Sequence, residues 1–120
     1  MKYTLEEVQT KEGTVLVLLS FTGEKKGSIL KDADLYPIIK DEGLRSVNKS
    51  EFESLRLTIR NTTVPIAAFG NEASGNSEAR FTGVPFLDTD GKVKVMENWT
   101  RGGNGDEWYG QWKFAFARTS

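Results

Sequence analysis

The stretch from Thr14 to Thr22 reads Thr-Val-Leu-Val-Leu-Leu-Ser-Phe-Thr. Apolar and β-branched residues occupy both alternating faces of this run, which is typical of a strand buried on both sides. Turn-forming residues lie on either side of it, at Gly13 and at Gly23 to Gly27. We therefore expect a central β-strand here, with the rest of the fold arranged around it.

The segment before this strand, residues 2–10, supports two interpretations. Tyr3, Leu5 and the turn at Gly13 suggest an antiparallel partner that forms a hairpin with the central strand. Residues Thr4 to Glu7 also fit a capping box, which would begin a short helix. We favour the strand.

The best helical pattern follows, between Asp34 and Gly43. Three apolar residues share one helical face in this segment: Leu35, Ile38 and Ile39. Asp34 can cap such a helix and Gly43 can end it. Because proline is well tolerated only in the first helical turn, Pro37 predicts that the helix begins near Asp34.

A second capping box, Ser50 to Glu53, is followed by a pattern that contradicts a helix. Three apolar residues alternate with three polar ones, in the order Leu55, Arg56, Leu57, Thr58, Ile59 and Arg60. Strict alternation places every second side chain on the same face of a strand. We therefore predict a strand with one basic face.

The remaining sequence reads as further strands. Residues 62–70 form one, and Pro65 favours an edge position for it. Residues 79–87 and 92–100 form a hairpin around the turn from Asp88 to Gly91. The last strand, Gln111 to Arg118, places Trp112, Phe114 and Phe116 on one face and Lys113, Ala115 and Ala117 on the other.

These patterns predict a mostly β, α+β fold. We expect residues 1–120 to form a single globular domain, since the length fits one ordinary domain. Its architecture is expected to be an antiparallel sandwich or partly open barrel of about six to seven strands, with one or two short helices.

The composition excludes several classes of catalyst. The chain contains no His and no Cys, so Ser-His-Asp and Cys-His arrangements, disulfides and zinc motifs are impossible within it. We expect no enzymatic activity, no metal and no cofactor, although a hydrolase that uses only carboxylates stays open. Asp88 with Asp90, or Asp106 with Glu107, would supply its acid and base.

The charge and the hydropathy of the chain limit the classes of partner that we expect. Lys and Arg number 16 against 17 Asp and Glu, and this net charge of −1 argues against a dedicated duplex DNA binder. The longest apolar run, Val15 to Leu19, is far shorter than a membrane span. The residues from Met1 to Glu7 do not resemble a signal peptide. We therefore expect no membrane association and a cytoplasmic location.

The C-terminal part of the chain concentrates groups that bind flat or anionic ligands. All three tryptophans lie there, around a glycine-rich segment at residues 102–105. Aromatic rings stack on bases or sugars, arginine binds phosphate bidentately, and glycine lets a ligand approach the backbone. The predicted ligand-binding residues are Trp99, Arg101, Asn104, Trp108, Tyr109 and Lys113. Trp99 and either Trp108 or Tyr109 would stack on the ligand. Arg101 would pair with an anionic group of the ligand, and Asn104 would hydrogen-bond to it. Lys113 would attract the negatively charged ligand to the site.

A structural interpretation competes with this one. Phe114 and Phe116 are expected to be core, since large aromatic residues dominate cores. Trp108 and Tyr109 are adjacent, so in an extended chain they point in opposite directions and one of them is expected to be exposed. The glycine-rich segment also fits a long hairpin connection.

Three functional hypotheses follow. The first is a non-enzymatic protein that recognises or sequesters a nucleotide-type ligand, either a small nucleotide or a single-stranded nucleic acid. Basic residues at Arg56 and Arg60, and at Lys92 and Lys94, would then follow the phosphates. The alternative is a protein–protein interaction module such as a small inhibitor or adaptor. The third is a carbohydrate-binding module. Assembly into a homo-oligomer, through an edge strand or an aromatic patch, is a further hypothesis.

Overall fold

The computed structural model describes residues 2–23, 29–69, 81–99 and 107–119, with only the backbone described at residues 32, 81–84, 96–99 and 107. Within these residues the chain forms nine strands and two helices. In chain order they are β1 (Tyr3–Gln9), β2 (Val15–Phe21), β3 (Ile29–Lys31), α1 (Asp32–Asp41), β4 (Leu44–Ser46), α2 (Lys49–Thr58), β5 (Ile66–Ala67), β6 (Phe81–Leu87), β7 (Val93–Trp99), β8 (Glu107–Tyr109) and β9 (Lys113–Arg118).

Seven of the described strands form one mixed sheet, in the order β1-β2-β9-β5-β6-β7, with β4 also paired to β9. One edge of β9 pairs with β2, where Leu19 lies opposite Phe114. Its other edge is shared, since β5 pairs with its first residues and β4 with its last three. The β5–β9 pairing is parallel and the other pairings are antiparallel. Strands β3 and β8 form a separate two-stranded sheet.

Hydrophobic cores lie on both faces of the large sheet. The first core joins β2 and β9 to α1, β3 and β8, through Val17, Leu19, Leu30, Leu35, Ile38, Trp108, Phe114 and Phe116 among others. The second core joins the opposite faces of β2 and β9 to α2, through Leu16, Leu18, Phe52, Leu55, Ala115 and Ala117 among others. Each face of the sheet is thus covered by a helix, and the first face also by the small sheet.

The predicted fold class, mostly β (α+β) with one or two short helices, is confirmed. The strands predicted at residues 2–10, 14–22 and 111–118 and the hairpin across 79–100 are all present. Phe114 and Phe116 are fully buried, as expected for core residues. The radius of gyration is 13.7 Å, close to the ~13.6 Å expected of a compact chain of this length. Neither described helix, at ten residues each, has the length of a membrane span.

The strand predicted at residues 55–60 is wrong, because residues 55–58 are the last turn of α2 and Ile59 is its C-cap. Asn48 caps the helix, and the box is Asn48 with Glu51 rather than Ser50 with Glu53. The buried positions Phe52 and Leu55 are three residues apart, which is helical spacing. Leu57, which a strand would bury beside Leu55, is 46% exposed. The alternating pattern was therefore a coincidence on a helix whose apolar face follows a different period.

Two other boundaries differ from the predictions. Helix α1 begins at Asp32 rather than near Asp34, and Pro37 lies inside it. The burial of Leu35 and Ile38 offsets the hydrogen bond that proline removes. Residues 62–70 contain only the two-residue β5, which lies between β9 and β6 rather than at an edge. Pro65 precedes this strand, so it removes no donor from the ladder.

The short strands β3, β4 and β8 were not predicted. Each has three residues, which is too short to show a period of two. Their positions follow from tertiary pairing, β3 with β8 and β4 with β9.

The start of α2 is stabilised by a reciprocal set of hydrogen bonds. The Asn48 side chain accepts from the Glu51 backbone N–H at 2.7 Å, and the Glu51 carboxylate accepts from the Asn48 N–H at 2.9 Å. The Arg45 guanidinium donates to both Glu51 carboxylate oxygens at 2.8 Å. The hydrogen bond from Arg45, followed by that from Asn48, holds the pKa of Glu51 below its usual value.

Two leucine substitutions test the helical assignment of residues 49–58. Leu55 is fully buried and Leu57 is 46% exposed. Leu55→Ala is expected to lower the free energy of unfolding by about 2–5 kcal/mol, because it leaves a cavity. Leu57→Ala is expected to change it by less than about 0.5 kcal/mol. Urea denaturation of both variants measures the difference, and comparable losses would contradict the helix.

A second substitution, Glu51→Gln, tests the cap. It is expected to cost about 1 kcal/mol near neutral pH. Because the folded pKa of Glu51 is depressed, its carboxylate stabilises the fold above the unfolded pKa, and this contribution is lost as the pH falls through the folded value. The stability difference from the parent protein should therefore shrink as the pH falls below about 4.5. Glu12→Gln, in the exposed β1–β2 turn, is the control, and an equal pH dependence in both variants would refute the prediction.

Candidate functional site

Two adjacent aromatic residues of β8 point to opposite sides of the strand. Trp108 is 5% exposed and its ring lies 5.0 Å from that of Phe69 and 5.9 Å from that of Phe114. Tyr109 is 49% exposed. The expected opposition of these two side chains is observed, with Trp108 inside and Tyr109 at the surface. Of the two, only Tyr109 presents a ring to a ligand.

A tight turn brings Tyr109 against a second aromatic ring. The Trp112 backbone N–H donates to the Tyr109 carbonyl oxygen at 3.1 Å, so the chain reverses between β8 and β9. The two rings lie 5.0 Å apart at 37°, and the Trp112 ring lies 4.9 Å from that of Phe86 at 39°. We call Tyr109, Trp112 and Phe86 the aromatic ladder. The ladder presents the exposed ring of Tyr109. The partly buried rings of Trp112 and Phe86 behind it set its orientation.

Sheet register places Phe86 within reach of Trp112. Ala67 of β5 pairs with Phe86 on one side and with Phe114 on the other. Directly paired residues share a face, so Phe86 lies on the face that carries Phe114, and Trp112 precedes Phe114 by two residues. The small side chain of Ala67 leaves space between the larger rings. The ladder is thus an extension of the first core toward the surface.

Lys113 does not belong to the ladder. It alternates with Trp112 and Phe114 along the chain, so it faces the other side of the sheet. Its ammonium lies 3.9 Å from the Glu6 carboxylate. The structure therefore does not bring Lys113 together with Tyr109.

The other predicted ligand-binding residues are only partly described. Trp99 is the last residue of β7, where its backbone pairs with Phe81, and its side chain is outside the description. Arg101 and Asn104 lie outside the described residues. The prediction that these three residues contact a ligand stays a prediction.

Among the described residues, the cation that pairs in sheet register with a member of the ladder is Lys94, opposite Phe86. Its ammonium lies 2.7 Å from the Asp88 carboxylate and 3.2 Å from that of Asp90. The hydrogen bond from Lys94 lowers the pKa of Asp88, and hydrogen bonds from the Lys92 backbone N–H and from Lys94 lower that of Asp90. Neither carboxyl has the raised pKa that the acid of a carboxylate-only hydrolase requires.

Sequence reasoning missed Trp112 and Phe86 as site residues. The spacing of Tyr109 and Trp112, with Gly110 between them, is a turn signal that could have brought the two rings together. No local signal links Phe86 to Trp112, since they are on separate strands. Among the described residues no cluster of acidic side chains could hold a metal ion.

Comparison with protein-family models, with curated proteins and with solved structures gives no match to this chain. The function is therefore inferred from the geometry of the site.

Substitution of the two adjacent aromatic residues tests their placement. Trp108→Ala is expected to lower the free energy of unfolding by about 3–5 kcal/mol, because the indole fills the first core. Tyr109→Ala is expected to cost about 1 kcal/mol or less, through the lost contact with Trp112. Chemical denaturation of both variants provides the comparison. A larger loss from Tyr109→Ala would show that the assignment of inside and outside is reversed.

Proposed function

We propose that this protein is a non-enzymatic binding protein for a nucleotide-type ligand whose base stacks on Tyr109. The exposed Tyr109 ring, held 5.0 Å from the ring of Trp112, is the observation that carries the proposal. A ring already fixed by its neighbours loses little side-chain entropy when a base stacks on it. Stacking on such platforms contributes about 1–3 kcal/mol per base.

The phosphate contact is assigned to Arg101 in this proposal. Lys113 faces the other side of the sheet, and Lys94 is already paired with two carboxylates. Neither is therefore a free cation beside the ladder. Arg101 precedes β8 by six residues in the chain, and its guanidinium suits bidentate phosphate binding. The aromatic ladder and Arg101 would together bind the base and the phosphate.

A second candidate function is protein–protein interaction, which the small sheet favours. Ile29 and Tyr109 are opposite each other across the β3–β8 pair, and they are 48% and 49% exposed. Tyrosine is enriched at interaction hot spots, and the exposed Ile29 extends the apolar surface beside it. A partner protein bound there would be lost with Ile29→Ser as well as with Tyr109→Ala. A stacked nucleotide would be lost with Tyr109→Ala alone.

Titration with nucleoside monophosphates and with a short single-stranded oligonucleotide tests the first proposal. Tryptophan fluorescence should change on binding, and Tyr109→Ala should weaken the affinity by roughly tenfold or more. Tyr36→Ala is the matched control, because Tyr36 is also an exposed tyrosine (57%) but is not part of the ladder. Its affinity should equal that of the parent protein.

Salt dependence and alternative ligands complete the test. Nucleotide binding should weaken as salt is added, since the phosphate contact is screened. Binding of neutral sugars that is insensitive to salt would instead support the carbohydrate hypothesis. If none of the nucleotides or oligonucleotides binds, the proposal is refuted.

A further inference from the structure

On the other side of the sheet, three elements meet around an open groove of about 330 Å³. They are the β1–β2 turn, the C-terminal end of α2 and the β6–β7 turn. The residues that line the groove, which we call the basic groove, are Lys11, Arg56, Leu57, Arg60, Asp90 and Gly91. Three of the six are cations, in a chain whose net charge is −1.

Backbone contacts hold these elements in place. The Lys11 backbone N–H donates to the Thr58 hydroxyl at 3.2 Å, which joins the β1–β2 turn to α2. Gly91 has a φ of +81°, and a Cβ there would lie 3.4 Å from the Arg60 carbonyl oxygen. The positive φ favours glycine in the β6–β7 turn, and this turn lies close to the chain that leaves α2. The groove is a consequence of tertiary packing rather than of one exposed loop.

The charges in the basic groove are unequally neutralised. Arg56 pairs with Glu53, and Asp90 pairs with Lys94 at 3.2 Å. Among the described residues neither Lys11 nor Arg60 has a carboxylate within salt-bridge distance. Asp90 shares its Lys94 partner with Asp88, so the Asp90 carboxylate is only partly offset, but the three cations of the lining outnumber it.

Stabilisation of α2 by basic residues at its C-terminal end does not explain the cations of the basic groove. A basic residue such as Arg56 in the last turn interacts favourably with the helix dipole. The negative end of that dipole amounts to about half a charge. This is less than the combined charge of Lys11 and Arg60, for which the described residues supply no carboxylate partner. Lys11 comes from a different element, so the helix does not account for its presence.

We propose that the basic groove binds the phosphate group of a small phosphate ester. Lys11 and Arg60 can donate hydrogen bonds to a dianion with three terminal oxygens, and Arg56, which also donates to Glu53, adds positive charge beside them. The groove volume lies at the lower end of the range for small-molecule sites, about 300–1,000 Å³, so an organic group fits beside the phosphate. Leu57, 46% exposed in the groove wall, supplies apolar contact for that group.

Calorimetric titration with inorganic phosphate and with phenyl phosphate tests this site at low ionic strength. Phenyl phosphate should bind more tightly than inorganic phosphate, and Leu57→Ser should remove that difference. Equal affinity for the two probes in the parent protein would contradict an ester site and indicate a site for free phosphate. Amide NMR signals of Lys11, Leu57 and Gly91 should shift during the titration.

Charge substitutions give the decisive comparison. Lys11→Gln and Arg60→Gln should each weaken phosphate binding by roughly tenfold, since each removes a charge-assisted hydrogen bond. Lys49→Gln is the matched control, because Lys49 is exposed at the opposite end of α2, and its affinity should be unchanged. Asp90→Asn should strengthen binding by about two- to threefold, because it removes a negative charge from the groove.

Several results would overturn the proposal. They are no phosphate binding at millimolar concentration, equal losses in Lys11→Gln and Lys49→Gln, or weaker binding in Asp90→Asn. Thermal unfolding of each variant shows that the fold is retained. The basic groove and the aromatic ladder lie on opposite sides of the sheet, so Tyr109→Ala should leave phosphate binding here unchanged.

Discussion

The pairing of β9 with three other strands is the constraint on which the rest of the structure depends. Its backbone is bonded to β2 along one edge and to β5 and β4 along the other. A strand with both edges paired and both faces covered leaves its polar groups no access to water, so every one of them needs a partner. The residues from Phe114 to Ala117 are accordingly 2% exposed or less. The pairing partners and both helices are arranged around this strand.

The alternation of large and small residues along β9 makes the two sides of the sheet different. Phe114 and Phe116 fill the first core together with Trp108, and the aromatic packing continues outward to Trp112 and Tyr109. Ala115 and Ala117 on the other face leave room for Phe52 and Leu55 of α2. Dense cores require complementary volumes across facing elements. The same alternation thus leads to an aromatic surface on one side and to a helix bordered by cations on the other.

Charge pairing decides which of the basic residues can meet a ligand. Lys94, Lys113 and Arg45 each lie within salt-bridge distance of a carboxylate, whereas Lys11 and Arg60 face the groove with no such carboxylate in the part of the chain that the structure describes. Pairs of this kind contribute little to stability when they are exposed. Their larger effect here is on the local potential, because each pair offsets the charge of its own cation. The two proposals therefore place a stacked base at Tyr109 and a small phosphate ester in the basic groove, on opposite sides of the sheet.

The sequence by itself determined the fold class, the central strand at residues 14–22, the hairpin across residues 81–99 and the core positions of Phe114 and Phe116. These features follow from local periodicity and turn residues, which are properties of neighbouring positions. Only the tertiary structure decided that residues 49–58 are a helix, because burial of Phe52 and Leu55 on the sheet overrides an alternating pattern. The tertiary structure also decided that Lys113 and Tyr109 lie on opposite sides of the sheet. It placed the ring of Phe86 against that of Trp112, and it placed Lys11 and Arg60 in the lining of one groove. Contacts between residues far apart in the chain depend on strand order and register, which no local pattern specifies.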